Sequence, residues 1–317
     1  MHERPSNSST RLCRYGIKAL SDAEKLIRAS QPVAVPTETV YGLAANAFDS
    51  DAVATIYAAK GRPSFNPLIV HIADMEMAQQ LARFDDLALK LAARFWPGPL
   101  TLILPVRKEA GLSPLVMAGL PTVALRMPRH RAMRALIERT GLPLAAPSAN
   151  RSGAISPTTA EHVVRSLEGR IPLVLDDGPT KRGLESTIAA PSGDHIRLLR
   201  PGPVTPEMLE DAASVPVIFG GGETIEAPGQ LESHYAPSKP LRLNAQNAEP
   251  DEYMIGFGSI GGDISLSEAG DLEQAAASLF AALHIADASS QPRIAVAPVP
   301  AQGIGAAIND RLRRAAA

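Results

Sequence analysis

The stretch 33–72, VAVPTETVYGLAANAFDSDAVATIYAAKGRPSFNPLIVHI, decides how this chain is read. Val33 to Val35 is a short apolar run that stops at Pro36 and reads as a buried strand. Thr37, Glu38 and Thr39 then fall in the connection beyond it. Asp51 to Ala59 reads as a helix that Ser50 or Asp51 could cap. Lys60 and Arg62 follow that helix, and Pro67 to Ile72 is a second apolar strand carrying His71. Strand, helix and strand in succession predict an α/β fold. Hydroxyls, two cations and an imidazole gather near strand ends, where such folds usually keep their chemistry.

Working outward, Ile17 to Ala29 has helical spacing of apolar residues, with Ser21 or an upstream polar residue as cap. Met75 to Arg94 is helical with a break near Phe84, and WPGPLTLILPV joins a Pro-Gly turn to a strand, Leu100 to Val106. Thr122 to Arg126 is a strand, and His130 to Thr140 a helix closed by Gly141. After the loop PSANRSG come a helix, Thr159 to Leu167, and strands at Leu173 to Asp176, Ser186 to Ala190 and Ile196 to Leu199. Strands outnumber helices late in this region, so the sheet is expected to be mixed. From Phe219 to Pro240, glycine, proline and small polar residues dominate, which reads as an interdomain linker. Beyond it, a strand (Tyr253 to Phe257), a helix (Leu272 to Ala286), a strand (Arg293 to Val299) and a helix (Ile304 to Arg314) predict a small Rossmann-like domain. The expected division is residues 11–216, a linker or lid at 217–240, and a second domain at 241–317.

Length supports two domains, since 317 residues exceed the usual size of one. A hydrophobic fraction of 45% with 20% charged residues is ordinary for a chain with a sizeable core. The net charge of −2 and the lack of a basic run argue against a generic nucleic-acid binder. Cys13 is the one cysteine and no two histidines have metal-ligand spacing, so neither a disulfide framework nor a protein-held metal is expected. The first fourteen residues are polar and do not read as a secretory signal, and no apolar run reaches the roughly 20 residues of a membrane span. A cytoplasmic location is the expectation.

On spacing alone Lys60 and Arg62 allow two readings: a solvated helix end, or an anion site with both cations on one side of an extended segment. Arg126 and Arg200 each end an apolar strand, and the SANRSG loop (Ser148 to Gly153) could offer hydroxyls and N–H groups to phosphate oxygens. His71 alone reads as a hydrogen-bonded core histidine. Gly256-Phe-Gly-Ser-Ile-Gly261 fits GxGxxG, but the next helix starts about ten residues too late to hold a pyrophosphate, so it is read as a loop. No P-loop motif occurs.

Seven motifs in order resemble the threonylcarbamoyl-AMP synthase family, built on a YrdC-like domain. They are PTETVYGLAANA (Pro36 to Ala47), KGRPSFNPLIVHI (Lys60 to Ile72), WPGPLT (Trp96 to Thr101), VALRMP (Val123 to Pro128), APSANRSG (Ala146 to Gly153), ESTI (Glu185 to Ile188) and LLRPG (Leu198 to Gly202). HYAP (His234 to Pro237) resembles the linker motif of the longer, two-domain members, and the C-terminal segment resembles their second domain. One departure is APGQ (Ala227 to Gln230), where members more often have Ser-Pro-Gly.

The resemblance implies a YrdC-like twisted mixed sheet with flanking helices plus a small C-terminal Rossmann-like α/β domain. It implies synthesis of threonylcarbamoyl-AMP and pyrophosphate from L-threonine, bicarbonate and ATP. By motif, Thr39, His71, Arg126, Ala146 and Ser186 would hold threonine. Arg62, Asn66, Thr122, Ser148, Asn150, Ser156, Arg200 and Tyr235 would serve ATP, with Lys60 and Arg62 as the catalytic cations. Mg²⁺ would accompany the phosphates, and the product would pass to a separate complex that modifies tRNA. Two alternatives are a YrdC-like module that binds RNA without catalysis and a carbamoyl-transfer enzyme. Net charge speaks against the first. The single cysteine and the length speak against the second, whose larger members carry zinc-finger segments.

Overall fold

The computed structural model describes residues 9–220, 226–229 and 234–317. The chain opens with β1 (Arg11–Arg14), α1 (Ile17–Arg28), β2 (Val33–Pro36), β3 (Tyr41–Asn46), α2 (Ser50–Lys60) and β4 (Ile69–His71). It continues through α3 (Met75–Leu81), α4 (Asp86–Phe95), β5 (Leu100–Pro105), α5 (Pro114–Met117), β6 (Thr122–Arg126), α6 (Arg131–Thr140) and β7 (Leu144–Ala145). Next come α7 (Ala160–Leu167), β8 (Leu173–Asp176), β9 (Thr187–Ser192), β10 (His195–Arg200), α8 (Pro206–Ala213) and β11 (Val217–Phe219). The last part holds β12 (Leu241–Arg242), β13 (Glu252–Gly256), β14 (Ile264–Ser265), α9 (Leu272–Ala288), β15 (Arg293–Val296) and α10 (Gly305–Ala315).

Eleven strands form one mixed sheet in the order β1-β8-β2-β3-β7-β4-β6-β5-β9-β10-β11. Its two faces carry separate apolar layers. Ile56, Leu91 and Leu209 belong to one, and Ile27, Met133 and Leu136 to the other. Four parallel strands, β12-β15-β13-β14, make a second sheet packed by α9 and α10. The expected mixed sheet and Rossmann-like unit are both present.

Local differences from the sequence reading have plain causes. Residues 37–40 are the tip of a β2–β3 hairpin, with Val33 opposite Ala44 and Pro36 opposite Tyr41. The Thr37 hydroxyl closes that tip by donating to the Val40 carbonyl at 2.7 Å. The run YGLAAN was not expected to be a strand, because it is buried on both sides and shows no alternation. Asp49, not Ser50 or Asp51, caps α2, accepting from the N–H groups of Asp51 and Ala52. Helix α1 has no side-chain cap, and Ser21 lies inside it. The edge strand β1 looked like a polar terminus, since most of its side chains face outward. Helix α8 was missed although Thr205 caps it and Pro206 opens it. Strand β11 occupies the beginning of the expected linker, of which residues 221–225 and 230–233 lie outside the described residues.

The second unit packs closely on the first. Val40, Ile155 and Leu184 share an apolar cluster with Leu279 and Phe280 of α9. Gly183, at φ +68°, permits this approach: a Cβ there would stand 2.4 Å from the Ala277 carbonyl oxygen. The Gly256–Gly261 segment is a tight loop between β13 and β14, closed by Phe257 N–H donating to the Ile260 carbonyl. No described helix is long and apolar enough to cross a membrane.

Candidate active site

His71 and Arg126 are register partners at the carboxyl ends of the parallel strands β4 and β6. Together with the β2–β3 hairpin, the SANRSG loop, the Glu185–Ser186 turn and the linker residues His234 and Tyr235, they enclose a cavity of about 40 Å³. That is far below the roughly 300 Å³ of an ordinary small-molecule pocket, so the site as it stands has no room for a nucleotide and an amino acid together.

At one end Arg126 is 3% exposed. Its guanidinium donates to Thr39 Oγ1 at 2.9 Å, to Glu38 Oε1 at 2.6 Å and to the Gly98 carbonyl at 3.2 Å. The fork has more donors than these three contacts use, so an anion can still be held. Burial disfavours the Glu38 carboxylate, but Arg126 and the Arg129 N–H together hold it below the usual carboxylate range. Burial and then Arg126 pull His71 down to about 3, so its ring is neutral. Its Nδ1 is buried and has no partner among the described residues. Ala146 and Ser186 complete this end, the Ser186 hydroxyl lying 2.7 Å from that of Thr101. All five residues expected to hold threonine therefore converge on one cavity wall.

The expected nucleotide residues are more spread out. Arg62, Ser148, Arg200 and Tyr235 line the cavity. Burial pulls Arg62 down to about 10, still charged at neutral pH, and its fork donates to the carbonyls of Asn66 and Pro67. Arg200 donates to the Ser186 carbonyl at 3.0 and 2.9 Å. Asn66 is fully buried and neither of its amide atoms has a partner among the described residues, which is rare for a group that gains nothing by isolation. Thr122 stands at the opposite end of β6 from Arg126, about 13 Å away at the usual strand rise, and it does not line the cavity.

Lys60 departs from the extended Lys-x-Arg picture. It is the last residue of α2, and Gly61 beyond it is left-handed. Its ammonium turns behind the SANRSG loop and donates to the carbonyls of Ser148 at 2.6 Å and Asn150 at 2.5 Å. Burial and then Arg62 hold its pKa well below the ordinary lysine value. Asn150 braces the same loop through the carbonyls of Arg151 and Ala154. Ser156 does not line the cavity itself but donates its hydroxyl to the carboxylate of Glu185, which does.

Several site residues escaped sequence reasoning. Glu38 lies in PTETV and Glu185 in ESTI, both quoted motifs, but nothing local reveals that each meets an arginine distant in the chain. His234 adjoins Tyr235 in HYAP and also lines the cavity. Gly229 of the APGQ segment approaches the lid, and a Cβ there would stand 2.8 Å from the Tyr235 hydroxyl. Gln230 of that segment lies outside the described residues. Arg311, on α10, was not singled out by the sequence and is fully buried.

A family model described as "Telomere recombination" matches residues 25–202, and one described as "Threonylcarbamoyl-AMP synthase, C-terminal domain" matches residues 204–317. The threonylcarbamoyl-AMP synthase of Bacillus subtilis is 45% identical over 94% of this chain and 92% of that protein. The crystal structure of Pyrococcus abyssi Sua5 complexed with L-threonine superposes with a TM-score of 0.87 at 38% identity, covering 96% of each chain. Escherichia coli YciO, at 20% identity and a TM-score of 0.53, shares the fold over 62% of this chain and 96% of its own. With the two models together matching nearly all of residues 25–317, the chain belongs to the threonylcarbamoyl-AMP synthase family.

Proposed function

We propose that this chain makes L-threonylcarbamoyl-AMP and pyrophosphate from L-threonine, bicarbonate and ATP, the product serving tRNA threonylcarbamoyladenosine formation. The observation that carries the reading is a cavity lined by three arginines, Arg62, Arg126 and Arg200, and by His71 and Tyr235, whose Nδ1 and hydroxyl have no partner among the described residues. Threonine sits at the Arg126 end, its carboxylate on the unused guanidinium donors and its hydroxyl among Thr39 and Ser186. The nucleotide runs toward Arg62, Asn66 and Thr122, with Ser148 and Arg200 flanking the phosphates. Ser156 and Asn150 shape the walls behind it.

The amine of threonine and bicarbonate give a carbamate with loss of water. A carbamate oxygen then attacks the α-phosphorus, the bond to the bridging oxygen breaks, and pyrophosphate leaves. Such a displacement needs alignment and fixed positive charge more than a protein nucleophile. Arg62 and Arg200 supply charge at the cavity, while Lys60 holds the Ser148 loop in shape. A neutral His71 leaves the amine of threonine without a competing cation beside it. Closure of His234 and Tyr235 excludes water from the reactive carbamate.

Mg²⁺ enters in this reading with the phosphates. Among the described residues no group of three or more metal-ligating side chains stands together. Glu185, which lines the cavity, and Glu38, which stands behind Arg126, are both engaged by arginines, so the residues present do not make a cage. The product passes to a separate transferase complex.

ATP–pyrophosphate exchange tests the reading: exchange is expected only with threonine and bicarbonate both present. A folded sample that never exchanges would defeat it. A protein that instead binds RNA without turnover would support the binding-module alternative, which the net charge of −2 disfavours.

A further inference from the structure

Helix α10 sends one side chain out of the second unit and into the wall of the cavity. Arg311 is fully buried, and its contacts reach three separate parts of the chain. Its Nε donates to Glu185 Oε2 at 2.8 Å, and Nη2 donates to the Pro201 carbonyl at 3.0 Å, both in the first domain. Its guanidinium carbon lies 5.2 Å from the centre of the Tyr235 ring in the linker. Nη1 donates to the neighbouring Asp310, which also holds Arg314 one turn on. The backbone carbonyl of Arg314 accepts the His234 N–H at 3.0 Å. One face of α10 thus anchors both lid residues.

The chemistry at Glu185 gives this arrangement its point. Glu185 lines the cavity beside Arg62 and Arg200, where an anion would bind. One of its oxygens accepts the Ser156 hydroxyl and the other accepts Arg311. A carboxylate facing a triphosphate would repel it unless a cation matched its charge, and here that cation comes from the other domain. A purely structural arginine would gain as much by pairing elsewhere on the interface. This one contacts the two cavity-lining groups, Glu185 and Tyr235, and the residue after Arg200.

We propose that Arg311 is a positioning residue for the adenylation: it cancels the charge of Glu185 and seats Tyr235, so that the second domain completes the nucleotide end of the site. The inference rests on the function proposed above. Its signature is selective. Loss of Arg311 exposes the Glu185 charge to ATP, while Arg126, Thr39 and His71 at the threonine end keep their contacts, none of which involves Arg311.

The test measures pyrophosphate release by the full-length protein with ATP and threonine varied separately, together with thermal unfolding of each variant. Arg311→Met is expected to raise the KM for ATP at least tenfold and to change the KM for threonine less than twofold. Adding Glu185→Gln to Arg311→Met removes the unmatched charge and is expected to bring the ATP KM back within about threefold of wild type. Arg311→Lys, which keeps the charge but not the fork, should fall between. If Arg311→Met does not fold, Arg311→Lys carries the decision through the same KM split. Unchanged ATP KM in a folded variant, or an equal rise for both substrates without rescue by Glu185→Gln, overturns the proposal. An inactive wild-type protein in the same assay would overturn the function reading instead.

Discussion

Two buried arginine–glutamate pairs border the cavity, and they face it in opposite senses. In the Arg126–Glu38 pair the arginine lines the cavity and the glutamate stands behind it. In the Arg311–Glu185 pair the glutamate lines the cavity and the arginine stands behind. The first pair offers unused donors to an anion. The second offers a carboxylate that must be matched before an anion can approach. Both partners of the first pair lie in the first domain, whereas the second spans the two domains. The same ion pair therefore serves binding in one place and domain coupling in the other, and the side of the pair that meets the ligand decides which.

The largest effect is expected where neither pair can compensate. Arg62→Ala should lower synthesis at least 100-fold while leaving the unfolding midpoint near wild type, because the guanidinium is held by loop carbonyls and not by a carboxylate. Turnover close to wild type would remove Arg62 from the site. Ending the chain after Pro216 deletes Arg311 and the lid together and bares Val40, Ile155 and Leu184. A sharp loss of activity is expected, and an equally active truncated protein would reduce the second domain to a tether.

Breaking the other pair should give the mirror image of the Arg311 result. Arg126→Ala is expected to raise the threonine KM at least tenfold with little change for ATP. It also leaves Glu38 buried with only the Arg129 N–H, so a loss of about 3–5 kcal/mol of stability should accompany it. A larger change for ATP than for threonine would invert the assignment of the two ends.

The last effect concerns acid and acts on stability, without distinguishing the two ends of the cavity. Glu38 is held below its ordinary pKa of 4.5, so its contribution is present above that value and fades as pH falls through the lowered one. His71 lies at about 3, and His162 and His284, stacked across the domain interface, at about 3 and 4. Between those values and 6.5 the unfolded chain binds protons that the folded chain refuses, so stability falls as pH drops below about 6.5. The limiting slope is about 1.4 kcal/mol per pH unit for each group. Unfolding midpoints measured from pH 7.5 to 4 should decline from about 6.5 and more steeply below 4.5. A flat profile down to pH 5 would mean that these histidines are protonated in the fold.

Much of the architecture was legible because local chemistry repeats it. The span Thr122–Arg126 has an apolar centre, Val123 to Leu125, opened by two β-branched residues, and Gly141 marks a helix end by its left-handed backbone. The break near Phe84 separates α3 from α4 as expected, with Asp85 capping the second. Short strands such as β7 and β12 carried too few residues to show a period. Strand β3 was lost because a strand buried on both faces does not alternate. At the site, residue type and motif singled out Arg62, His71, Arg126 and Arg200, yet they could not say which way each points. Lys60 looked like a cation for the ligand and instead holds the carbonyls of a loop.

The sequence by itself determined most of the longer elements and their order, the two-domain division it predicts, and the set of polar residues at strand ends, because hydrophobic period, caps and turn residues act over a few positions. Only the tertiary structure decided which side of each ion pair meets the cavity. Glu185 and Arg311 are 126 residues apart, and Glu38 and Arg126 are 88 apart. No local pattern records such a pairing, since it follows from the packing of whole sheets and helices and from the need to match each charge that folding removes from water.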